Sequence, residues 1–125
     1  MAQWLVRVRP TDEAPAWSVL PAEDTLKLLP QYHKSTGAPL PQYHYDEVLV
    51  GSDNKLVYNA TARGHVEAAM NGYNAVVFAY GQTASGKTFT LSGSEEQPGI
   101  IPRAMKDVFQ HIRRTPSREY LLRCS

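Results

Sequence analysis

Residues 81–88, Gly-Gln-Thr-Ala-Ser-Gly-Lys-Thr, constrain this chain more than any other stretch, because they match G-x-x-x-x-G-K-[ST] at every fixed position. Residues 75–80 before them, Ala-Val-Val-Phe-Ala-Tyr, form an apolar run with no polar alternation. Such a run predicts a strand buried on both faces in the middle of a sheet. A helix is expected to begin near Gly86. Strand, glycine-containing loop and helix in that order mark a phosphate-binding loop rather than a surface turn that carries a lysine. With glycine at about 7 % of residues, a chance match anywhere in 125 residues has a probability on the order of 0.4 %.

The spacing has a chemical reason. A phosphate chain needs several backbone N–H groups converging on it, and only a tight loop with glycine at its corners brings the backbone close enough. The following helix adds unpaired N–H groups and the positive end of its dipole. Lys87 supplies a point charge for the β and γ phosphates of a nucleotide. The Thr88 hydroxyl supplies a ligand to Mg²⁺, an ion that keeps most of its waters. Gln82, Thr83, Ala84 and Ser85 fill the variable positions and act through backbone N–H groups rather than side chains.

Elsewhere the patterning is weaker. Residues 3–9 alternate, with Trp4, Val6 and Val8 on one side and Leu5, Arg7 and Arg9 on the other, which predicts a half-buried strand. Pro10 ends it by removing a backbone donor. Residues 11–21 contain Pro15 and Pro21 and read as a loop. Residues 25–29 and 42–45 read as short strands, and 31–41 as irregular. Ser52 or Asp53 caps a helix predicted to run to about residue 71, with Gly64 weakening its middle and Gly72 stopping it. Leu56, Val57, Ala60, Val66, Ala69 and Met70 form its apolar stripe. Residues 92–99 are polar and interrupt the helix after the loop. A second segment is predicted over 102–114, with Pro102 in its first turn and Met105, Val108, Phe109 and Ile112 on one face. Thr115-Pro116 breaks it, and residues 120–125 look like the start of another strand.

Bulk properties exclude several functions. The formal net charge is +1, so the chain lacks the basic excess of a nucleic-acid surface. Cys124 is the sole cysteine, which rules out an internal disulfide, and His33, His44, His65 and His111 lack metal-ligand spacing. The longest apolar run is far too short to span a bilayer. The first residues carry Arg7 and Arg9 and no apolar signal core. The expectation is a cytoplasmic protein that engages neither nucleic acid nor membrane.

Around the loop, residues 72–93 read Gly-Tyr-Asn-Ala-Val-Val-Phe-Ala-Tyr-Gly-Gln-Thr-Ala-Ser-Gly-Lys-Thr-Phe-Thr-Leu-Ser-Gly. They resemble the phosphate-loop region of kinesin motor domains almost letter for letter. Further segments resemble that family in the same order: Arg7-Val-Arg9-Pro10 at the end of the first strand, Tyr45-Asp-Glu-Val-Leu49 before the first helix, and Gly99-Ile-Ile-Pro-Arg-Ala104 where the helix restarts. The resemblance covers essentially the whole chain, and from residue 102 onward it is greatest to the centromere-associated mitotic kinesins. It implies an α/β fold of the P-loop NTPase kind: a kinesin-type motor core with a central mixed β-sheet flanked by helices. Residues 1–125 would be its amino-terminal part, from the first strand to the start of the strand after the second helical segment. ATP and Mg²⁺ are the implied cofactors and microtubules (tubulin) the implied partner. The implied parent is a homodimer with a coiled coil, on the cytoskeleton and potentially at the spindle or kinetochore. The family's adenine contacts fall on Arg7, Pro10 and Phe89, with Arg9 on the same strand face as a second candidate. A flat base stacks on an aromatic ring or a guanidinium plane.

The resemblance also implies what these residues lack. In kinesins the water and Mg²⁺ are positioned by later switches, one rich in serine and arginine, the other Asp-Leu-Ala-Gly. Here no aspartate has glycine at the third position after it, and no Asn-x-x-Ser-Ser-Arg occurs. The chain is therefore expected to be a truncated, incomplete piece with an open sheet edge. It would hold no catalytic residue and not hydrolyse ATP alone, while its parent is a microtubule-dependent ATPase. Two other functions compete. A small GTPase needs Asn-Lys-x-Asp after the loop, whereas Asn54-Lys55-Leu56-Val57 lacks the aspartate and precedes it. A kinesin-like module that holds microtubules without turnover would keep the loop and lose the switches.

Overall fold

The computed structural model describes residues 2–34 and 37–125. They form two units that divide between Ser52 and Asp53. In the first unit the strands are β1 (Leu5–Val8), β2 (Trp17–Leu20), β3 (Thr25–Leu28), β4 (Gln42–His44) and β5 (Glu47–Val50). β2, β3 and β4 make an antiparallel meander, with Trp17 opposite Leu28 and Leu26 opposite Tyr43. β1 and β5 pair in parallel, Val6 opposite Val48 and Val8 opposite Val50. No tight turn can join parallel neighbours, so the meander serves as the crossover between them.

Side chains pin the ends of these strands. The Trp4 N–H donates to Asp46 Oδ2 at 2.6 Å, and the Asp46 N–H donates to the Trp4 carbonyl at 2.9 Å. The Asp24 carboxylate accepts from the Val48 N–H at 3.0 Å. Thr25 is fully buried, and its hydroxyl donates to the Glu23 carbonyl at 2.8 Å. That single hydrogen is then spent, so His44 Nδ1, 2.7 Å away, must be the protonated nitrogen and donate to Thr25. His44 Nε2 is left to accept from Gln42 Nε2 at 3.2 Å.

Two of the five strands depart from the sequence expectation. β2 lies inside the stretch expected to be a loop, and β5 inside one read only as the approach to a helix. Each is four residues long, too short for alternation to stand out between prolines or beside a cap. Their neighbours β3 and β1 supply the ladder that local pattern does not announce. The expected irregular stretch 31–41 contains residues 35 and 36, which lie outside the described residues.

The second unit is helical: α1 (Asn54–Thr61), α2 (Arg63–Met70), α3 (Lys87–Leu91) and α4 (Ile100–Arg114). Asp53 caps α1 by accepting from the Lys55 N–H at 2.8 Å and the Leu56 N–H at 3.3 Å. The single helix expected up to residue 71 is in fact two, interrupted at Ala62 (φ −109°, ψ −26°), two residues before the glycine expected to weaken it. Gly72 (φ +95°) ends α2 as expected. α4 starts two residues earlier than predicted, which keeps Pro102 in the first turn, where its missing N–H has no partner to lose. Val57, Tyr58, Ala62 and Ile100 are buried where α1, α2 and α4 meet. The Tyr58 hydroxyl donates to Asp107 Oδ2 at 2.8 Å across that seam. Burial, reinforced by Asp107, pushes the Tyr58 phenol well above its ordinary value.

The largest correction concerns residues 75–80. They belong to neither sheet, and Val76, Phe78 and Tyr80 are 79 %, 69 % and 96 % exposed rather than buried. A strand buried on both faces takes its ladder and its cover from neighbouring strands. Among the described residues the strands pair only as β1–β5 and β2–β3–β4. The expected central sheet is accordingly present as a parallel pair and a separate meander. Residues 120–125 form no strand either. Instead Tyr120 turns back edge-on to His111, ring centroids 6.1 Å apart.

Candidate phosphate-binding loop

Although residues 75–80 join no sheet, the loop itself takes a defined shape. The Ser85 N–H donates to the Gln82 carbonyl at 3.2 Å, closing a turn. Ala84 sits at φ +62°, a left-handed conformation that costs a non-glycine residue roughly 1–2 kcal/mol. A Cβ on Gly81 would lie 2.7 Å from Ser85 Oγ, a side-chain atom free to rotate aside. Gly86 is held by conformation, at φ +104° where α3 begins, and its carbonyl accepts the first helical bond from the Thr90 N–H at 2.9 Å.

Lys87 is the first residue of α3, and its side chain folds back across the loop. Nζ donates to the carbonyls of Gly81 and Gln82, each at 2.7 Å. These two bonds place the ammonium at the loop's mouth and tie the loop's beginning to the helix that follows it. Residues 81–85 and Thr88 are exposed, while Lys87 is half-buried. Phe89 is 37 % exposed, so it is not a core residue.

Sequence reasoning missed what holds the far end of α3. The helix is only five residues long and its last carbonyls need partners. Asn54, 1 % exposed, donates from Nδ2 to the Phe89 carbonyl and to the Gln97 carbonyl, both at 2.9 Å. Arg103 Nε donates to the Pro98 carbonyl at 2.8 Å. Between α3 and α4 the chain makes a tight hairpin, bridged at Gly93 and Pro98. A Cβ on Gly93 would meet the Gln97 carbonyl oxygen at 2.2 Å, and one on Gly99 the Leu91 carbonyl oxygen at 2.4 Å. The only sequence signal for Asn54 is its place immediately after a capping aspartate, which reads equally as a helix start.

Loop residues 81–88 and Phe89 thus come together on one turn and one helix. Arg7, Arg9 and Pro10 belong to the first unit, at the end of β1. Arg7 Nε donates to the Gly51 carbonyl at 3.1 Å, fastening β1 to the end of β5, and Arg9 and Pro10 are exposed beyond it.

The donor set fits a nucleotide: a closed turn with glycine at both corners, an ammonium at the mouth, and a hydroxyl on the first helical turn. Among the described residues no group of three or more His, Cys, Asp or Glu side chains could hold a metal ion. Mg²⁺ bound through Thr88 and phosphate oxygens requires no such group. Among the same residues, no helix is long and apolar enough to cross a membrane.

Loop, lysine and short helix, set in an α/β chain, define the class as a phosphate-loop domain. The kinesin motor domain model matches residues 7–125, and the chain belongs to the kinesin motor domain family. It is 50 % identical over 84 residues to Centromere-associated protein E of Homo sapiens, covering 66 % of this chain and 3 % of that protein. Kinesin-like protein KIN-7N of Arabidopsis thaliana is 42 % identical over 123 residues, covering 96 % of this chain and 15 % of that one. The KIF14 motor (residues 391–755), solved with ADP in complex with a microtubule, superposes with a TM-score of 0.77 at 28 % identity. That match covers 91 % of this chain and 34 % of the other. The chain therefore spans 3 % and 15 % of the length of the two curated relatives.

Proposed function

We propose that residues 81–89 bind Mg·ATP as the nucleotide site of a microtubule motor. The observation that carries this reading is the Lys87 ammonium, anchored 2.7 Å from the Gly81 and Gln82 carbonyls at the mouth of a turn that enters α3 through Gly86 at φ +104°. Backbone N–H groups of Gly81, Gln82, Thr83, Ala84 and Gly86 surround the phosphates on the turn that the Ser85 N–H closes, and Lys87 neutralises their charge. Thr88 holds Mg²⁺, which supplies further charge neutralisation when bound. Phe89 stacks on adenine, with Arg7, Arg9 and Pro10 as the other candidate adenine contacts.

In the motor to which this chain belongs, ATP hydrolysis rests on positioning and electrostatics rather than covalent chemistry, and drives movement along microtubules. The relative solved on a microtubule with ADP supports both the partner and the nucleotide. We place this motor on the microtubule cytoskeleton as a homodimer, and the similarity to Centromere-associated protein E favours the spindle or kinetochore. Residues 1–125 constitute the amino-terminal part of the motor domain, from β1 through the phosphate loop to α4 and the segment after it. They bind nucleotide without turning it over, because no residue among them matches a switch.

Calorimetric titration of the 125-residue chain with Mg·ATP tests the site. Lys87→Ala is expected to weaken binding by about 3 kcal/mol, roughly a hundredfold, through loss of a charge-assisted contact. Phe89→Ala is expected to cost about 0.5–1.5 kcal/mol through loss of stacking. Equal affinity of wild type and Lys87→Ala would overturn the assignment. Phosphate release by this chain above the Lys87→Ala background, with or without microtubules, would overturn the claim that it binds without turnover.

A further inference from the structure

We propose that Asn54 is a positioning residue for the adenine end of this nucleotide site, an inference that rests on the function proposed above. It stands on α1, away from the loop in sequence, and no sequence motif includes it.

Three observations carry the proposal. First, Asn54 is 1 % exposed, so its amide is committed to the protein interior. Second, both groups that face Nδ2 at 2.9 Å, the carbonyls of Phe89 and Gln97, can only accept. The amide nitrogen, with its two hydrogens, is therefore the atom that must point at them. One side-chain group thus joins three elements: the start of α1, the body of α3 and the hairpin that follows α3. Third, the two ends of α3 are held by different means. The loop end is fixed by Lys87 Nζ on the Gly81 and Gln82 carbonyls. The other end has Asn54 on the carbonyl of the very residue whose ring is assigned to adenine.

This division of labour predicts a division of effect. Removing the Asn54 amide releases the Phe89 backbone while the bonds that shape the phosphate loop persist. A ligand that uses only the loop should be indifferent to the change, whereas one that also stacks on Phe89 should be weakened. General loosening of the fold would weaken both alike.

The experiment compares Mg·ATP and magnesium pyrophosphate binding to the 125-residue chain as wild type, Asn54→Ala and Asn54→Asp. Asn54→Asp keeps the shape but turns a carboxylate oxygen toward two carbonyl oxygens. Both variants are expected to weaken Mg·ATP about fivefold, the effect of one lost net hydrogen bond, and to leave pyrophosphate affinity unchanged. If a variant fails to fold, the wild type still reports. In its nuclear magnetic resonance spectrum the Asn54 side-chain NH₂ signals should shift on adding Mg·ATP and not on adding pyrophosphate. Equal losses for both ligands, no loss for either, or NH₂ signals that respond identically to both would overturn the positioning role. A wild type that binds neither ligand would instead overturn the nucleotide site itself, and this inference with it.

Discussion

Residues 73–80 and residues 81–99 are consecutive, yet they are held in opposite ways. The first segment is rich in large apolar side chains and leaves most of them in solvent, Tyr73 at 72 % and Tyr80 at 96 % exposure. The second is mostly polar and is pinned at nearly every turn: Lys87 to the loop carbonyls, Asn54 to Phe89 and Gln97, Arg103 to Pro98. Hydrophobicity alone did not bring the first segment into a sheet, and its absence did not loosen the second. A strand draws its bonds from neighbours remote in sequence, whereas a glycine loop and a short helix draw most of theirs from within a few residues.

The sharpest way to break this contrast is to attack the pinned segment where it has no slack. Gly93→Ala places a Cβ 2.2 Å from the Gln97 carbonyl oxygen at a φ of +74°, and the atom it meets is backbone, which cannot swing aside. A loss of about 3 kcal/mol in unfolding free energy is expected, read by chemical denaturation. A variant as stable as the wild type would show that the hairpin is not the tight element described here.

A smaller effect is expected at the seam between α1 and α4. Tyr58→Phe removes the hydroxyl that donates to Asp107 at 2.8 Å, and about 1 kcal/mol should be lost at neutral pH. The pH dependence sharpens the test. The phenol's value is raised on folding from 10.0, so its contribution is complete below pH 10 and declines as the pH climbs toward the raised value. The gap between wild type and Tyr58→Phe should therefore narrow in alkali, as followed by thermal melts from pH 8 to 11. A gap that widens would contradict the sign.

The smallest effect belongs to the exposed segment. Phe78→Ser, at a position 69 % exposed, should change unfolding free energy by no more than about 0.5 kcal/mol. It should, however, reduce self-association measured by sedimentation, because an extended apolar segment invites pairing. A large loss of stability would mean that residues 73–80 are integrated into the fold after all.

The same distinction explains what could be read in the sequence. The phosphate loop, the start of α3, the Asp53 cap, the Gly72 stop and the interruption over residues 92–99 were all legible, because each is a local matter of φ, donors and acceptors. Strands β1, β3 and β4 were legible from short alternating or β-prone runs. β2 and β5 were not, since four residues carry too little periodicity and only their ladder partners define them. Residues 75–80 were misread for the complementary reason: their composition states what a strand would require, and the neighbours decide whether it is met. Asn54 and Arg103 stayed hidden because a side chain that reaches a backbone carbonyl 35 or 43 residues away, or one five residues back before the helix begins, leaves no periodic trace.

The parallel pairing of β1 with β5 has a kinetic consequence. Trp4 and Asp46, which close that pair at one end, are 42 residues apart, whereas each meander strand follows its partner more closely along the chain. Closing a long flexible loop costs entropy that a shorter one avoids. Once the meander has condensed, much of that span is already gathered, so loop-closure entropy favours assembly of the antiparallel strands before the parallel ladder.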